Sequence, residues 1–301
     1  MVDLKVTLPK DFLQEEKRDG FVVSPAMKEV WAVELDLLAE FQRVADKHKI
    51  NYIASGGTML GAVRHKGFIP WDDDVDIMML RKDYNKLLSV AGEFEHPYFL
   101  QSNRNDKGYF RCFLRLRNSL TTGIQNMEKD CHFKYNQGIF IDIFPLDNIV
   151  DDIKLFIQQQ IRAKTLLKKA RFYSSLQSRY YKDKSPIKRM QRDLLKAFVF
   201  KEDKDEKYLF EYENEVQRYN DRETAKVSLL SFQFDYRIHD IKLRDIYEVE
   251  YMDFEFLRLP VPKDYDNLLT WKYGDWKTPM QFPNYHGDIF FDVNKPYTHY
   301  I

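Results

Sequence analysis

The chain has 301 residues, 44% of them hydrophobic and 31% charged, which is enough for one large domain or two small ones and argues against disorder. Its 47 basic and 47 acidic side chains cancel, so the net charge gives no reason to expect a nucleic-acid partner. Only Cys112 and Cys131 are present, without Cys-x-x-Cys spacing, which argues against a thiolate zinc site and is typical of a reducing compartment.

Neither a secretory leader nor a membrane span is predicted. The first residues lack the apolar core of a signal peptide, and no stretch approaches the roughly 18 apolar residues of a membrane-spanning helix. We therefore expect a cytoplasmic protein.

The first strong helix signal is Ser24 followed by Pro25, an N-cap with proline at the first helical position. Apolar residues recur at helical spacing up to about Lys49, which predicts a core helix. A short strand, 51–54, should follow, so the helix is placed to support the turn after it.

That turn contains Gly56 and Gly57, where backbone N–H groups can approach a ligand closely. Thr58 begins a helical turn whose N-terminus favours anions, and two cations, Arg64 and Lys66, follow it. The pattern predicts a phosphate cradle in which Gly56, Gly57 and Thr58 hold a diphosphate and Arg64 stabilises charge on the transferred group. A simple turn without a ligand is the alternative.

An acidic run comes next. Asp72, Asp74 and Asp76 alternate with Val75, Ile77 and Met79, which predicts a strand with its carboxylates on one face. Crowded carboxylates raise each other's pKa, and a divalent cation removes that conflict, so we predict that Asp74 and Asp76 bind Mg²⁺. A solvated acidic surface is the alternative. A calcium loop is excluded because its sixth position would be Ile77 rather than glycine.

Two motifs carry a family resemblance. Gly-Gly-Thr-x-Leu-Gly-x-x-Arg at 56–64 and Ile-Pro-Trp-Asp-Asp-Asp-x-Asp at 69–76 resemble the signature of the LicD family of phosphocholine transferases, which is related to the fukutin-type phosphosugar transferases. The resemblance implies an α+β fold: a nucleotidyltransferase-like mixed β-sheet flanked by helices. Between its parts we expect a mainly helical insertion.

Beyond the acidic run, a helix is predicted at 83–91 and strands at 98–101 and 110–117. Arg111, Arg115 and Arg117 would share one face of the second strand, which is either a diphosphate-binding face or an exposed edge.

The run 139–144 has the composition of a buried strand, and Asp142 inside it needs a partner or a metal. Beside Asp74 and Asp76 it would complete a three-carboxylate site as metal ligand or as base, a role that a matching Asp-x-Phe-Pro-Leu-Asp element of the LicD family supports. Backbone N–H groups are its alternative partners. Asp147 is expected to cap a helix.

A strongly basic segment follows, with fourteen Lys and Arg but only two Asp in 154–201. Apolar residues at helical spacing predict amphipathic helices, continued by an acidic helix at 202–218. The region 151–201 would face an anionic acceptor or a membrane surface, or it is only a solvated basic face.

The C-terminal part should return to strands at 227–231 and 247–257, followed by a short helix at 265–271. Tyr273-Gly274-Asp275, Pro279 and His286 match elements of the LicD family, whereas Phe256 stands where the family has glycine. Choline would need an aromatic cage, because a quaternary ammonium cannot donate hydrogen bonds. The candidates for that cage are Trp71, Trp271, Tyr273 and Trp276.

The resemblance implies a Mg²⁺-dependent transfer from a CDP-alcohol donor, CDP-choline, to a hydroxyl of a cell-surface glycan precursor of the lipopolysaccharide, teichoic acid or capsule type. A lipid-linked acceptor would place the protein at the inner face of the membrane. Donor contacts would include Lys66, Trp71, Tyr273, Trp276 and His286. The alternatives are a nucleotidyltransferase and a non-catalytic binding protein. We divide the chain into a catalytic core (1–150), a basic helical insertion (151–225) and a C-terminal part that completes the core (226–301).

Overall fold

The computed structural model describes residues 1–129, 131, 133–182, 185–199, 204–231, 241–281 and 288–301, and it confirms an α+β fold. The helices are α1 (Pro25–His48), α2 (Gly56–His65), α3 (Arg81–Ser89), α4 (Ile153–Lys182), α5 (Pro186–Val199), α6 (Lys204–Val216) and α7 (Tyr265–Tyr273). The strands are β1 (Glu16–Arg18), β2 (Phe21–Val23), β3 (Ile53–Ala54), β4 (Asp76–Leu80), β5 (Tyr98–Gln101), β6 (Leu114–Asn118), β7 (Thr122–Gln125), β8 (Ile139–Asn148), β9 (Lys226–Ser228), β10 (Ile241–Lys242), β11 (Val249–Phe254), β12 (Leu257–Pro262) and β13 (Ile289–Asp292).

Strand β8 is the centre of a mixed sheet. One of its edges pairs with β4 in parallel, and β4 pairs with β3. The other edge pairs antiparallel with β6 along its first half and with β9 at its end, and β5 and β10 extend these two branches. Asp76 of β4 lies opposite Asp142 of β8 in the parallel register, so sheet pairing brings these two predicted site residues together.

The predicted helix after Ser24 is confirmed as α1. The Ser24 hydroxyl accepts a hydrogen bond from the backbone N–H of Met27 (3.2 Å), which caps its N-terminus. Trp31 is fully buried, stacks on Phe68 at 4.6 Å between ring centroids and donates from Nε1 to the carbonyl oxygen of Asp72 (3.0 Å). Helix α1 therefore supports the acidic segment from behind, as expected.

Three helices follow one another between β8 and β9, as the composition of this segment predicted. Tyr212 on α6 is buried with Phe156, Ala163 and Ala170 of α4 in a core of their own. The division into three domains stays a prediction. In the part of the chain that the structure describes, the helices are all too short or too polar to cross a membrane.

Several predicted boundaries are corrected. The strand expected from Asp72 begins only at Asp76, and residues 72–75 form an irregular segment before it. The strand expected at 110–117 is β6, displaced to Leu114–Asn118. The strand expected at 247–257 is a hairpin, β11 and β12, with Glu255 in the left-handed region (φ 54°) at its turn. Phe256 occupies the second turn position.

Candidate active site

The acidic segment before β4 is held as a loop. The backbone N–H of Asp72 donates to the carbonyl of Ile69 (2.9 Å), and the hydroxyl of Thr58 accepts from the backbone N–H of Asp76 (2.7 Å). One carboxylate oxygen from each of Asp72, Asp73 and Asp74 lies within 4.8 Å of the others. The chain thus gathers three acidic side chains immediately before the strand that carries Asp76.

Burial and mutual repulsion disfavour ionisation in this cluster. The pKa of Asp72 is raised by burial and then by Asp74 and Asp73. The pKa of Asp76 is raised by burial and then by Asp74 and Asp142. A cation among these side chains would stabilise all the ionised forms together, and hard carboxylate oxygens suit Mg²⁺. The donor set therefore fits the predicted metal, with Asp72 and Asp73 added to Asp74 and Asp76.

Asp142 has a partner that the sequence did not indicate. The Arg115 guanidinium donates from Nε to its Oδ1 (2.6 Å) and from Nη2 to its Oδ2 (3.3 Å). Arg115 is 2% exposed, and its guanidinium carbon lies 3.6 Å from the ring centroid of Phe140. Asp142 is thus a member of a buried ion pair beside Asp76, rather than a carboxylate satisfied by backbone N–H groups.

The predicted basic face on the arginine strand is corrected by the same geometry. Arg115 and Arg117 are both buried, and Arg117 donates to Gln101 (2.5 Å) and to the carbonyl of Gly138 (2.6 Å). Arg111 forms an ion pair with Glu128 (3.1 Å). These cations hold the sheet and its neighbours together, so they do not form an exposed edge.

Asp147 is also corrected, because it does not cap a helix. It lies within β8, is fully buried and accepts two hydrogen bonds from the Arg81 guanidinium (2.8 and 2.7 Å). A second buried ion pair therefore stands at the far end of the strand that carries Asp142.

The glycines make room for carboxylates. Gly56 has a φ of 51°, and a Cβ there would lie 3.1 Å from Oδ2 of Asp76 and 3.3 Å from Nζ of Lys272. A Cβ on Gly57 would collide with Oδ2 of Asp72. The first turn of α2 is therefore packed against the acidic cluster. The phosphate contacts of Gly56, Gly57 and Thr58 stay a prediction.

The two cations after the glycines differ in environment. Arg64 donates from Nη1 to the carbonyl of Trp276 (2.6 Å), and burial lowers its pKa. Lys66 is exposed and ends α2 with a φ of 55°, while its carbonyl accepts from the backbone N–H of Glu255 (2.7 Å). Arg64 thus ties α2 to the C-terminal part of the chain, and Lys66 has the geometry of a helix C-cap.

The proposed aromatic cage is spread over several contacts. Trp71 packs against Phe21 at 5.9 Å, and Trp276, only 8% exposed, packs against Tyr265 at 6.4 Å between ring centroids. Tyr273 has the Lys272 ammonium 5.3 Å from its ring centroid. Trp271 is 55% exposed, and His286 lies outside the described residues. The contacts of Trp71, Tyr273 and Trp276 are with different neighbours, and the aromatic cage stays a prediction.

Two site residues were missed at the sequence level. Glu34 of α1 is 1% exposed, and its pKa is raised by burial and then by Asp74 and Asp73. Its Oε2 has no hydrogen-bond partner among the described residues. Lys272 of α7 places its ammonium beside Asp76: burial lowers its pKa, and the charge of Asp76 opposes that shift. Glu34 interrupts the apolar face of α1, a signal that could have been noticed, whereas nothing local marks Lys272.

Comparison with known proteins places the glycine turn, the acidic cluster and Asp142 within a family domain. Residues 49–152 match the model described as LicD/FKTN/FKRP, nucleotidyltransferase domain. The chain is 26% identical over 260 residues to the lipopolysaccharide cholinephosphotransferase LicD of Haemophilus influenzae, covering 83% of this chain and 91% of that protein.

Two shorter matches are to proteins of Rickettsia. The uncharacterized protein RP689 of Rickettsia prowazekii is 41% identical over 59 residues, 20% of this chain and 22% of that protein. The uncharacterized protein RT0683 of Rickettsia typhi is 35% identical over 104 residues, 34% of this chain and 32% of that protein. The family match spans the glycine turn, the acidic cluster and β8. Residues 49–152 therefore match a LicD-family nucleotidyltransferase domain, and most of the chain is similar to a lipopolysaccharide cholinephosphotransferase.

Proposed function

We propose that the protein transfers phosphocholine from CDP-choline to a hydroxyl of a lipopolysaccharide-type glycan in a Mg²⁺-dependent reaction. The observation that carries this proposal is the convergence of Asp72, Asp73 and Asp74 within a LicD-family domain. Similarity to a lipopolysaccharide cholinephosphotransferase over 91% of that protein's length supports the choice of transferred group and acceptor.

The metal would be held by the converging oxygens of Asp72, Asp73 and Asp74, together with Asp76 at the start of β4, and these oxygens suit a hard cation. When bound, Mg²⁺ would neutralise charge that develops on the phosphoryl oxygens. Asp73, which is 8% exposed, would contribute negative charge to the same cluster. Asp142 would either ligate the same cation or accept the proton of the attacking hydroxyl, since its ion pair with Arg115 leaves further lone pairs on both oxygens.

The remaining chain groups would bind and orient the donor. The N-terminus of α2 would present backbone N–H groups to the diphosphate, and Arg64 and Lys272 would add positive charge to the site. The acceptor oxygen forms a bond to the phosphorus that carries choline, and the bond from that phosphorus to the bridging oxygen breaks. CMP leaves with the bridging oxygen, and the hydroxyl proton passes to the carboxylate that acts as base.

A panel of substrates tests this proposal. The protein is incubated with Mg²⁺, a lipopolysaccharide acceptor and either CDP-choline, CDP-ethanolamine, CDP-glycerol or CTP, and the products are identified by mass spectrometry. We expect CMP and a phosphocholine-modified glycan from CDP-choline. Release of pyrophosphate from CTP with a cytidylylated acceptor would instead identify a nucleotidyltransferase, and no turnover with any donor would favour a binding protein.

We also propose that the protein works at the inner face of the membrane, where a lipid-linked acceptor would be presented. Helix α5 carries Ile187, Met190 and Leu194 on one face, and they are 66%, 61% and 57% exposed. Lys188 and Arg189 are also exposed on this helix, and its only acidic residue is Asp193. An exposed apolar face bordered by cations is typical of a helix that lies in the interface of an anionic membrane.

A further inference from the structure

A cavity separate from the acidic cluster lies between the loop 103–110, α4 and α6. Its volume is about 160 Å³, below the roughly 300–1,000 Å³ of a pocket for a drug-sized ligand. It would therefore accept one small group rather than a whole nucleotide.

The cavity has aromatic walls that other rings hold in place. Tyr109, Phe110, Phe133 and Phe210 line it. Tyr135 contacts the Tyr109 ring edge-on at 6.0 Å and stacks on Phe133 at 5.0 Å between centroids. Ring faces attract cations, and a quaternary ammonium, which cannot donate hydrogen bonds, is typically held by such faces.

The charges around the cavity are predominantly negative. Asp205, Glu206 and Glu213 line it, and Arg104 is the cation among its lining residues. Glu213 is 3% exposed, and the nearest approach of Arg104 to its carboxylate is 3.7 Å, longer than a direct hydrogen bond. Burial raises the pKa of Glu213, although Arg81, Arg104 and a side-chain hydrogen bond from Asn103 oppose this shift. A cation entering the cavity would stabilise the ionised carboxylate.

Tyr109 is a wall residue of this cavity that feels the charges of the candidate active site. It is 2% exposed, and its hydroxyl has no hydrogen-bond partner within the described part of the chain. The charges of Arg115 and Asp142 both act on this hydroxyl. Tyr109 is therefore a cavity-wall residue within electrostatic range of the ion pair that stands beside Asp76.

We propose that the cavity binds a quaternary ammonium group and receives the choline end of the donor. This assignment rests on the proposed phosphocholine transfer for its ligand, and it differs from the cage expected around Trp71, Tyr273 and Trp276. Aromatic faces supply the attraction for the methylated cation, and the buried carboxylate of Glu213 supplies its counter-charge.

The test measures choline binding directly and is independent of turnover. Isothermal titration with choline chloride is compared with 3,3-dimethyl-1-butanol, the uncharged carbon isostere, for the wild type and for Glu213→Gln. The matched control is Glu211→Gln, on the same helix but outside the cavity lining. We expect Glu213→Gln to weaken choline binding by about tenfold or more while leaving the isostere unaffected, because only the charged ligand loses its counter-ion.

A second variant, Phe133→Leu, should weaken choline as well and keeps the test valid if Glu213→Gln does not fold. Wild-type affinity for choline in folded Glu213→Gln and Phe133→Leu proteins would overturn the assignment. In turnover assays, KM for CDP-choline should rise in Glu213→Gln and KM for CDP-glycerol should not. If choline binds as predicted but no CDP-alcohol is cleaved, the cavity assignment stands and the proposed reaction fails.

Discussion

Replacing Asp142 with asparagine should destabilise the protein strongly, even without metal. The substitution leaves the Arg115 guanidinium, 2% exposed, without its counter-ion. Removing one partner of a buried ion pair costs about 3–5 kcal/mol. The asparagine carbonyl can still accept a hydrogen bond from Nε of Arg115, so we expect the free energy of unfolding to fall by about 3 kcal/mol, the lower end of that range. A site made only of crowded carboxylates would give the opposite result, a stabilised apoprotein.

The assay is urea-induced unfolding at pH 7 without Mg²⁺ for the wild type, Asp142→Asn, Arg115→Met and the double variant. The double variant leaves neither member of this ion pair buried without its partner. Its loss of unfolding free energy should therefore be smaller than the sum of the losses in the two single variants, by about 1 kcal/mol or more. Asp147→Asn is the matched control, since it breaks the buried pair with Arg81 at the other end of β8. It should lose stability in this assay, but Mg²⁺, added in a parallel series, should stabilise it as much as it stabilises the wild type. A loss below about 1 kcal/mol in Asp142→Asn, or strict additivity, would refute this reasoning.

Three further predictions follow from single sites. Burial raises the pKa of Glu34 in the folded protein above its ordinary value of 4.5. As the pH rises above 4.5, the unfolded chain therefore loses the Glu34 proton before the folded protein does, and the wild type loses stability. Glu34→Gln removes this loss, so the unfolding free energy of the variant, measured in urea, should exceed that of the wild type by a margin that grows above pH 4.5 by up to about 1.4 kcal/mol per pH unit. A margin that does not change with pH would contradict this prediction. Gly56→Ala should cost about 1–2 kcal/mol because of its left-handed backbone and should raise KM for CDP-choline, whereas an unchanged KM would make this glycine purely structural. Met190→Glu should abolish co-sedimentation with anionic vesicles, and Met127→Glu, at a similarly exposed methionine, should not. Equal binding of both variants would show that α5 does not contact the membrane.

Local patterns predicted the parts of the fold that depend on neighbouring residues. Ser24 and Pro25 mark the start of α1, and the apolar run around Asp142 marks β8. The acidic segment was misread because alternation of aspartate with apolar residues is also compatible with a loop that precedes a strand. There Asp72 is fixed by a turn to Ile69 and by a contact from α1, neither of which has a sequence period.

The partners of the site residues could not be predicted, because they come from distant positions in the chain. Arg115 reaches Asp142 only through the antiparallel register of β6 with β8. Lys272 reaches Asp76 from α7, nearly two hundred residues later in the sequence. Periodicity specifies which face a side chain occupies, but it does not specify which strand or helix will pack against that face.

Release of CMP from CDP-choline by the wild type and by Asp76→Asn, with and without Mg²⁺, tests the central claim most directly. Asparagine is nearly isosteric and removes repulsion from Asp74 and Asp142, so the variant should be as stable as the wild type or more stable. We predict that the wild type releases CMP only with Mg²⁺ and that the folded variant is slower by about 10²-fold or more. Metal-independent release, or a folded Asp76→Asn protein with the wild-type rate, would contradict the account.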